Sequence, residues 1–372
     1  MNQKLSALTL GILCSTQAFA FDTETLGMGG VGVAIGVGAS TANLNASQLV
    51  TQPGPSVDIR VPIIGGNISD EGDLVNKIDD IQSLVSKTNQ SLLTPTEYLD
   101  FSKELSKQLD NIAKSEMPRA QADVGMAVSV LGETDYAGAF YLHGQAETIV
   151  DVDIADNGDG YLDYMDSTVT LSAAGKIESG FALAKRMDYN LHTFGVSITP
   201  KVQNLRLYSK TFSIDDFDIS DFAKDYDSKT AFNADLGASY RYGQYSLGFV
   251  VNDLFKQEVT SNETGHSAYV DRKVRLGLGY TGSFYRYGLD VDLASYRSLG
   301  GYEQQKVKFG GEIVPWGRLA MRAGISHDLK SSQTDLSLGG AITVGPYVTA
   351  HVGAVAGTNR NLGATAELAF MF

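Results

Sequence analysis

The sequence is poor in cysteine and tryptophan, with one of each, Cys14 and Trp316, in 372 residues. Cys14 sits behind the bulky Leu13, which does not suit a lipid-anchor site, and within what reads as a cleavable leader. The chain that follows the leader therefore has no disulfide, no thiol nucleophile and no thiolate metal site. Long apolar runs are also missing. No segment after the leader reaches the ~18 apolar residues of a membrane-crossing helix, which leaves strands as the only means of crossing a bilayer. Positive charge is scarce: 29 Lys and Arg stand against 43 Asp and Glu, for a net charge of −14. That balance argues against a nucleic-acid partner, which needs a basic stripe. Catalytic signatures are absent as well. His143, His192, His266, His327 and His351 are scattered, and there is no Gly-x-Ser-x-Gly, His-Glu-x-x-His or phosphate-binding loop. Facing strands can assemble a triad without a local motif, but the reading is a protein that is not an enzyme.

The chain does carry alternation. The tail "ATAELAFMF" puts Ala364, Ala366, Leu368, Phe370 and Phe372 on one side and Thr365, Glu367, Ala369 and Met371 on the other. A period of two is a strand with one apolar and one polar face. "KVRLGLGY" sets Val274, Leu276, Leu278 and Tyr280 against Lys273 and Arg275; "AFNADLGASY" and "DLSLGGAITV" repeat the pattern. Short turns at Gly243-Gln244, Gly282-Ser283, Pro315-Trp316-Gly317 and Gly345-Pro346 alternate with longer links, such as 256–268 and 297–303. Aromatics crowd the short-turn end: Tyr240, Tyr242, Tyr245, Tyr280, Phe284, Tyr285, Tyr287, Trp316, Tyr347 and Phe372. Short turns on one rim, long loops on the other and a ring of aromatics describe an outer-membrane barrel with its C-terminal strand ending on the periplasmic side. Further strands near 57–68, 118–131, 136–154, 176–187 and 191–207 bring the count to about fourteen, with twelve the alternative.

The remaining segments give the domain plan. Lys4, the apolar Leu5 to Leu13 and Ala18-Phe19-Ala20 read as a signal peptide over 1–20. Residues 21–52, rich in Gly, Ala, Ser and Asn, read as a plug folded into the lumen, where small residues permit close backbone approach. Residues 53–372 read as the barrel. Residues 70–117 interrupt it as a helical insertion in the first outer loop. Leu74, Ile78, Ile81 and Val85 mark one helix. Thr94, Pro95 and Glu97 open a second with a capping box, and Tyr98, Phe101, Leu105, Leu109 and Ile112 form its stripe. The insertion either packs on the rim or offers a lid or partner surface.

Two sets of polar residues stand out. In "DVDIADNGDGYLDYMD", Asp153, Asp156, Asn157, Asp159 and Asp163 suggest a calcium loop. With Gly160 at the sixth position, Asp166 would fall at the twelfth, but the first is Ala155. The other reading is a solvated outer loop. On the polar strand faces, Arg275, Asp290, Asp292, Glu312, Arg322 and Glu367 join Asp235 and Asp335. An Arg in the lipid midplane costs ~2–4 kcal/mol, so these charges are expected to face inward. Glu312 and Arg322, symmetric about Gly317, are expected to pair across strands; the charges either hold the plug or only fill a wet interior.

The run Gly27-Met28-Gly29-Gly30, followed by Val31, Ala34 and then Asn43 to Leu49, resembles the N-terminal hatch of the long-chain fatty-acid transporter (FadL-type) superfamily. Asn45-Ala46-Ser47 stands where that family has Asn-Pro-Ala. "KFGGEIVPWGRLAMRAGISHDL" is similar to a strand pair of the same superfamily. The likeness is greatest to its barrel proteins labelled conjugal transfer protein TraF; the unrelated thioredoxin-like protein of that name needs cysteines this chain lacks. The resemblance implies a monomeric fourteen-stranded barrel in the bacterial outer membrane, in contact with its lipid. It implies a luminal hatch that includes Gly27, Met28, Gly29, Gly30 and Asn45, and passive uptake of a small hydrophobic ligand. The alternative it leaves open is a structural barrel that binds proteins of a conjugation or secretion apparatus. No cofactor is expected beyond calcium in the 151–166 loop.

Overall fold

The computed structural model describes residues 22–70, 77, 80, 94–113, 119–132, 134–153, 155, 168–213, 225–358 and 360–372. In chain order its strands are β1 (Val57–Ser69), β2 (Arg119–Leu131), β3 (Tyr136–Asp153), β4 (Thr168–Tyr189), β5 (His192–Ser213), β6 (Asp227–Tyr242), β7 (Tyr245–Asn252), β8 (Gln257–Thr260) and β9 (Ser267–Val270). There follow β10 (Lys273–Thr281), β11 (Tyr285–Asp292), β12 (Tyr296–Arg297), β13 (Glu303–Gln304), β14 (Lys306–Ile313), β15 (Leu319–Asp328), β16 (Thr334–Val344), β17 (Val348–Gly357) and β18 (Leu362–Met371). Fourteen of them close an antiparallel barrel in the order β1-β18-β17-β16-β15-β14-β11-β10-β7-β6-β5-β4-β3-β2. The seam is a full ladder, with Ile59 opposite Phe370 and Ile64 opposite Ala366. The count is fourteen rather than twelve because β2 to β5 pair along their length despite weak alternation. The strand expected over 176–187 starts earlier, at Thr168.

Side-chain alternation sets the two faces. Leu142, Ile177, Leu236, Leu278, Phe309, Leu338 and Val352 are exposed on the outer wall. Their strand neighbours His143, Glu178, Asp235, Gly277, Ser337 and His351 are buried on the inner wall. A soluble β-sandwich would bury the first set and solvate the second; here the order is inverted, as a hydrocarbon surround requires. Aromatics stack at the short-turn rim. Tyr280 lies 5.2 Å from Tyr287 and 5.6 Å from Tyr285 between ring centroids, and Tyr347 lies 5.1 Å from Phe372. No helix among the described residues is long and apolar enough to cross a membrane.

The wall is uneven. β4 and β5 have 22 residues each, whereas ~9–11 suffice to cross a bilayer. Their surplus rises past the lipid on the long-loop side. Two of the expected simple links prove structured there. β8 and β9 form a hairpin, and so do β12 and β13. The first folds against the inner face of the tall wall, where Ala174, Leu205, Leu207, Val259, Ala268, Val270 and Leu299 form an apolar cluster.

In the outer loop between β1 and β2, a helix α3 runs from Pro95 to Ala113. Its start is a closed capping box: Thr94 Oγ1 and N both donate to Glu97 Oε2, at 2.6 and 2.8 Å. Of the other expected helix, over 74–85, most residues lie outside the described ones, as does the expected signal peptide over 1–20.

Candidate functional site: a chamber between the luminal segment and the outer hairpins

Residues 22–52 thread the lumen. They contain two short helices, α1 (Thr23–Gly27) and α2 (Gln48–Thr51). Asp22 caps α1, accepting from the N–H groups of Glu24 and Thr25 at 3.0 Å each. The segment has little side chain of its own, so its backbone polar groups must find partners on the wall. They do so around the circumference. Thr23 N–H donates to Glu367 on β18 at 3.1 Å. Gly32 and Val33 N–H donate to one oxygen of Asp290 on β11 at 2.8 and 2.9 Å. Arg286 donates to Ile35 C=O at 2.9 Å, Ser246 to Ala34 C=O at 2.8 Å and Ser239 to Ser47 C=O at 3.1 Å. Asn45 braces the segment internally through Val33 C=O at 2.8 Å and Ser47 Oγ at 2.7 Å.

Glycine makes the approach possible. Gly29 has φ +72°, and a Cβ there would lie 2.8 Å from Ile325 N. On the wall side, a Cβ on Gly277 would lie 2.9 Å from Val33 Cβ. A side chain at either place would push the segment off the wall. Gly27 packs on Gly339 in the same manner, Met28 is fully buried, and Gly30 lies beneath Lys308.

At the short-turn end a charge network fastens the N-terminal end of this segment. Arg60 on β1 is 2 % exposed and meets four carboxylates: Asp22, Asp58 and Glu367 at 3.0 Å and Glu24 at 3.1 Å. Glu24 also pairs with Arg286. Arg286 reaches Glu312 at 3.0 Å, and Glu312 pairs across strands with Arg322 at 2.6 Å. Arg322 in turn donates to His351 at 3.1 Å. So Glu312, Arg322 and Glu367 belong to one network, centred on Arg60 and Glu24. Arg275, Asp290 and Asp292 lie higher up the wall and form a separate group. Sequence alternation alone did not single out Arg60. The signal was present, because Asp58 and Arg60 share the inward parity of "VDIRV", but the other three partners, Asp22, Glu24 and Glu367, come from two distant parts of the chain.

A second network occupies the opposite wall. Lys201 meets Asp235 and Asp253 at 2.8 Å, Lys176 meets Glu178 at 3.1 Å, and His143 contacts Asp123. Between the luminal segment below and the β8–β9 and β12–β13 hairpins above lie two adjoining cavities. One, of about 130 Å³, reaches from Gly29 and Gly30 up to Tyr269, Tyr296 and Leu299. The other, of about 150 Å³, reaches from Asn43 and Leu44 across to His143 and Arg275. Gly30, Gln145, Lys176, Asp253, Lys273 and Lys308 line both. Their walls are polar. Below the segment a third cavity, of about 310 Å³, is lined by Val37, Phe284, Tyr285, Val314 and Met371 among others and is the more apolar. Above, Asp271 braces the hairpins through Arg297, at 2.9 and 3.1 Å. Burial would raise its pKa, but the hydrogen bonds and charge of Arg297 outweigh that and hold the carboxyl below its ordinary range.

Of the calcium candidates, Asp153 is exposed at the end of β3, while Asp156, Asn157, Asp159 and Asp163 lie outside the described residues.

Residues 39–292 match the family described as "F plasmid transfer operon, TraF, protein". No protein of curated function matches the sequence. Among solved structures the chain is similar to the Ralstonia pickettii toluene transporter TbuX, at 11 % identity and TM-score 0.55, over 96 % of this chain and 99 % of that one. It is similar to the P. putida toluene transporter TodX, at 12 % identity and TM-score 0.52, with the same coverages. A Pseudomonas aeruginosa FadL homologue aligns at 9 % identity and TM-score 0.55, again over 96 % and 99 %. Identities this low speak to the fold, which is that of the FadL-type outer-membrane channels.

Proposed function

Starting from the fact that the chain belongs to the family described as F plasmid transfer operon TraF protein, we propose that it is a hatch-gated outer-membrane channel for passive uptake of small solutes. Residues 22–52 are the hatch. The observation that carries this reading is how the hatch is held. It is fastened by hydrogen bonds and ion pairs to a polar wall, and water can replace such contacts one by one as the segment shifts. A solute enters between the outer hairpins, waits in the chamber and leaves past the displaced hatch into the wider cavity at the periplasmic end. Uptake of a wholly hydrophobic solute draws support from the toluene transporters that share the fold. The lysines and carboxylates of the chamber support a polar one instead, and we favour it.

The test is conductance in planar bilayers. Arg322→Glu turns the Glu312 pair into a repulsion and removes the bond to His351, so it should raise single-channel conductance above that of the parent. Equal conductance would remove the gating role of the hatch. Liposome swelling with a neutral sugar and with toluene separates a polar from a hydrophobic cargo. The family's name favours a second reading, a barrel that serves a conjugation apparatus through its outer loops, α3 among them. In that case deleting the gene lowers plasmid transfer while solute uptake stays unchanged.

A further inference from the structure

The protein is acidic overall, yet the chamber above the hatch holds cations that form no ion pair among the described residues. In the cavity of about 150 Å³, the four lining carboxylates are each engaged with a cationic or histidine side chain: Asp22 with Arg60, Asp123 with His143, Glu178 with Lys176, and Asp253 with Lys201. Three further cations line the same cavity, Lys273, Arg275 and Lys308, and among the described residues none of the three has a carboxylate within 4.0 Å. Lys273 lies 4.9 Å above the ring of Tyr296. Arg275 donates to Asn252 Oδ1 at 2.5 Å, and its buried Nε has no partner. Lys308 stands opposite Asp290 in the β11–β14 register, but Asp290 has turned one oxygen to the hatch amides of Gly32 and Val33. All three are half-buried; drawing a cation partly out of water without a partner is costly, and three in one enclosure leave a concentrated positive field. The volume is about ten times the ~15 Å³ that a single water requires, so a compact anion and some water fit together.

We infer that this chamber binds a small, multiply charged oxyanion of the phosphate class, held by Lys273, Arg275 and Lys308. The inference rests on the uptake reading above and names the cargo. Arg275 presents a planar donor fork and the two lysines are point charges, a combination suited to an oxyanion with several oxygens. A lipid headgroup would bring its acyl chains, for which the polar walls have no place, so the ligand is free in solution. The site also touches the gate. A methyl on Gly30 would lie 3.3 Å from Lys308 Nζ, so the ammonium rests on the hatch, and an anion drawn to Lys308 sits directly on the segment that must move.

Calorimetric titration of the purified barrel with inorganic phosphate, in chloride buffer, tests this. Saturable binding is expected, and it should weaken at least about tenfold in the Lys273→Gln/Lys308→Gln double variant. Lys308→Arg keeps the charge and should keep binding, and Lys330→Gln, in an outer loop, should leave it unchanged. Heat-dependent gel mobility reports whether each variant has closed its barrel. Absence of saturable binding by the parent at millimolar phosphate, or equal affinity in a folded double variant, overturns the assignment. Because the titration needs no opening of the hatch, phosphate binding with unchanged Arg322→Glu conductance sinks the gating alone. Raised conductance without phosphate binding sinks the anion site alone.

Discussion

Arg60 concentrates the energetics of the lumen in one side chain. Four carboxylates converge on it, and burial would leave each of them costly if the guanidinium were lost. Arg60→Met is expected to lower stability by about 3–5 kcal/mol, read as a lower urea midpoint for the barrel in lipid vesicles. An unchanged midpoint would mean that the cluster neutralises itself by taking up protons. Legibility in the sequence followed the same lines. The inward direction of Glu312, Arg322 and Glu367 could be read from parity, since an outward arginine is penalised so heavily. The Glu312–Arg322 pair could be read from the turn at Gly317. What was hidden is partnership across elements that are far apart in the chain. Lys308 shares its parity with Glu312 in "KVKFGGE", but whether Asp290 would neutralise it depended on where the luminal segment places the amides of Gly32 and Val33.

At the scale of the element, each strand is defined by what its outer face touches. Leu338 lies in the middle of β16 and is 68 % exposed. Leu338→Arg should destabilise the barrel by about 2–4 kcal/mol in a bilayer. A Ser337→Arg change, one residue away on the lumen side, should act on conductance instead. Equal losses at the two positions would contradict the facing. The strands of the C-terminal half were plain in the sequence because short turns and clean alternation delimit them. β4 and β5 were read short, since beyond the lipid their outer faces no longer need to be apolar. The β8–β9 hairpin was hidden in a long link because four-residue strands carry too little pattern. The hairpins also give a dependence on pH. Asp271 has a lowered pKa, so the stabilisation its carboxylate supplies is complete above about pH 4 and is lost as pH falls through the lowered value. The protection factors of the β9 and β12 amides, corrected for the intrinsic pH dependence of exchange, should therefore stay flat from about pH 8 to about pH 5 and fall only in stronger acid. A loss of protection near neutrality would assign it to another group.

For the molecule as a whole, closure and occupancy are linked. Asp22 and Glu24 of the luminal segment bond to Arg60 on β1, and Thr23 bonds to Glu367 on β18. β1 and β18 are the two strands that meet at the seam, separated in sequence by nearly the whole chain, and such distant pairings form late. The consequence concerns biogenesis. With contacts to both edges of the seam, the stuffing is expected to lie in the trough when the two edges come together. An assembly machine that handles this chain has to hold an open, loaded gutter until the final stitch.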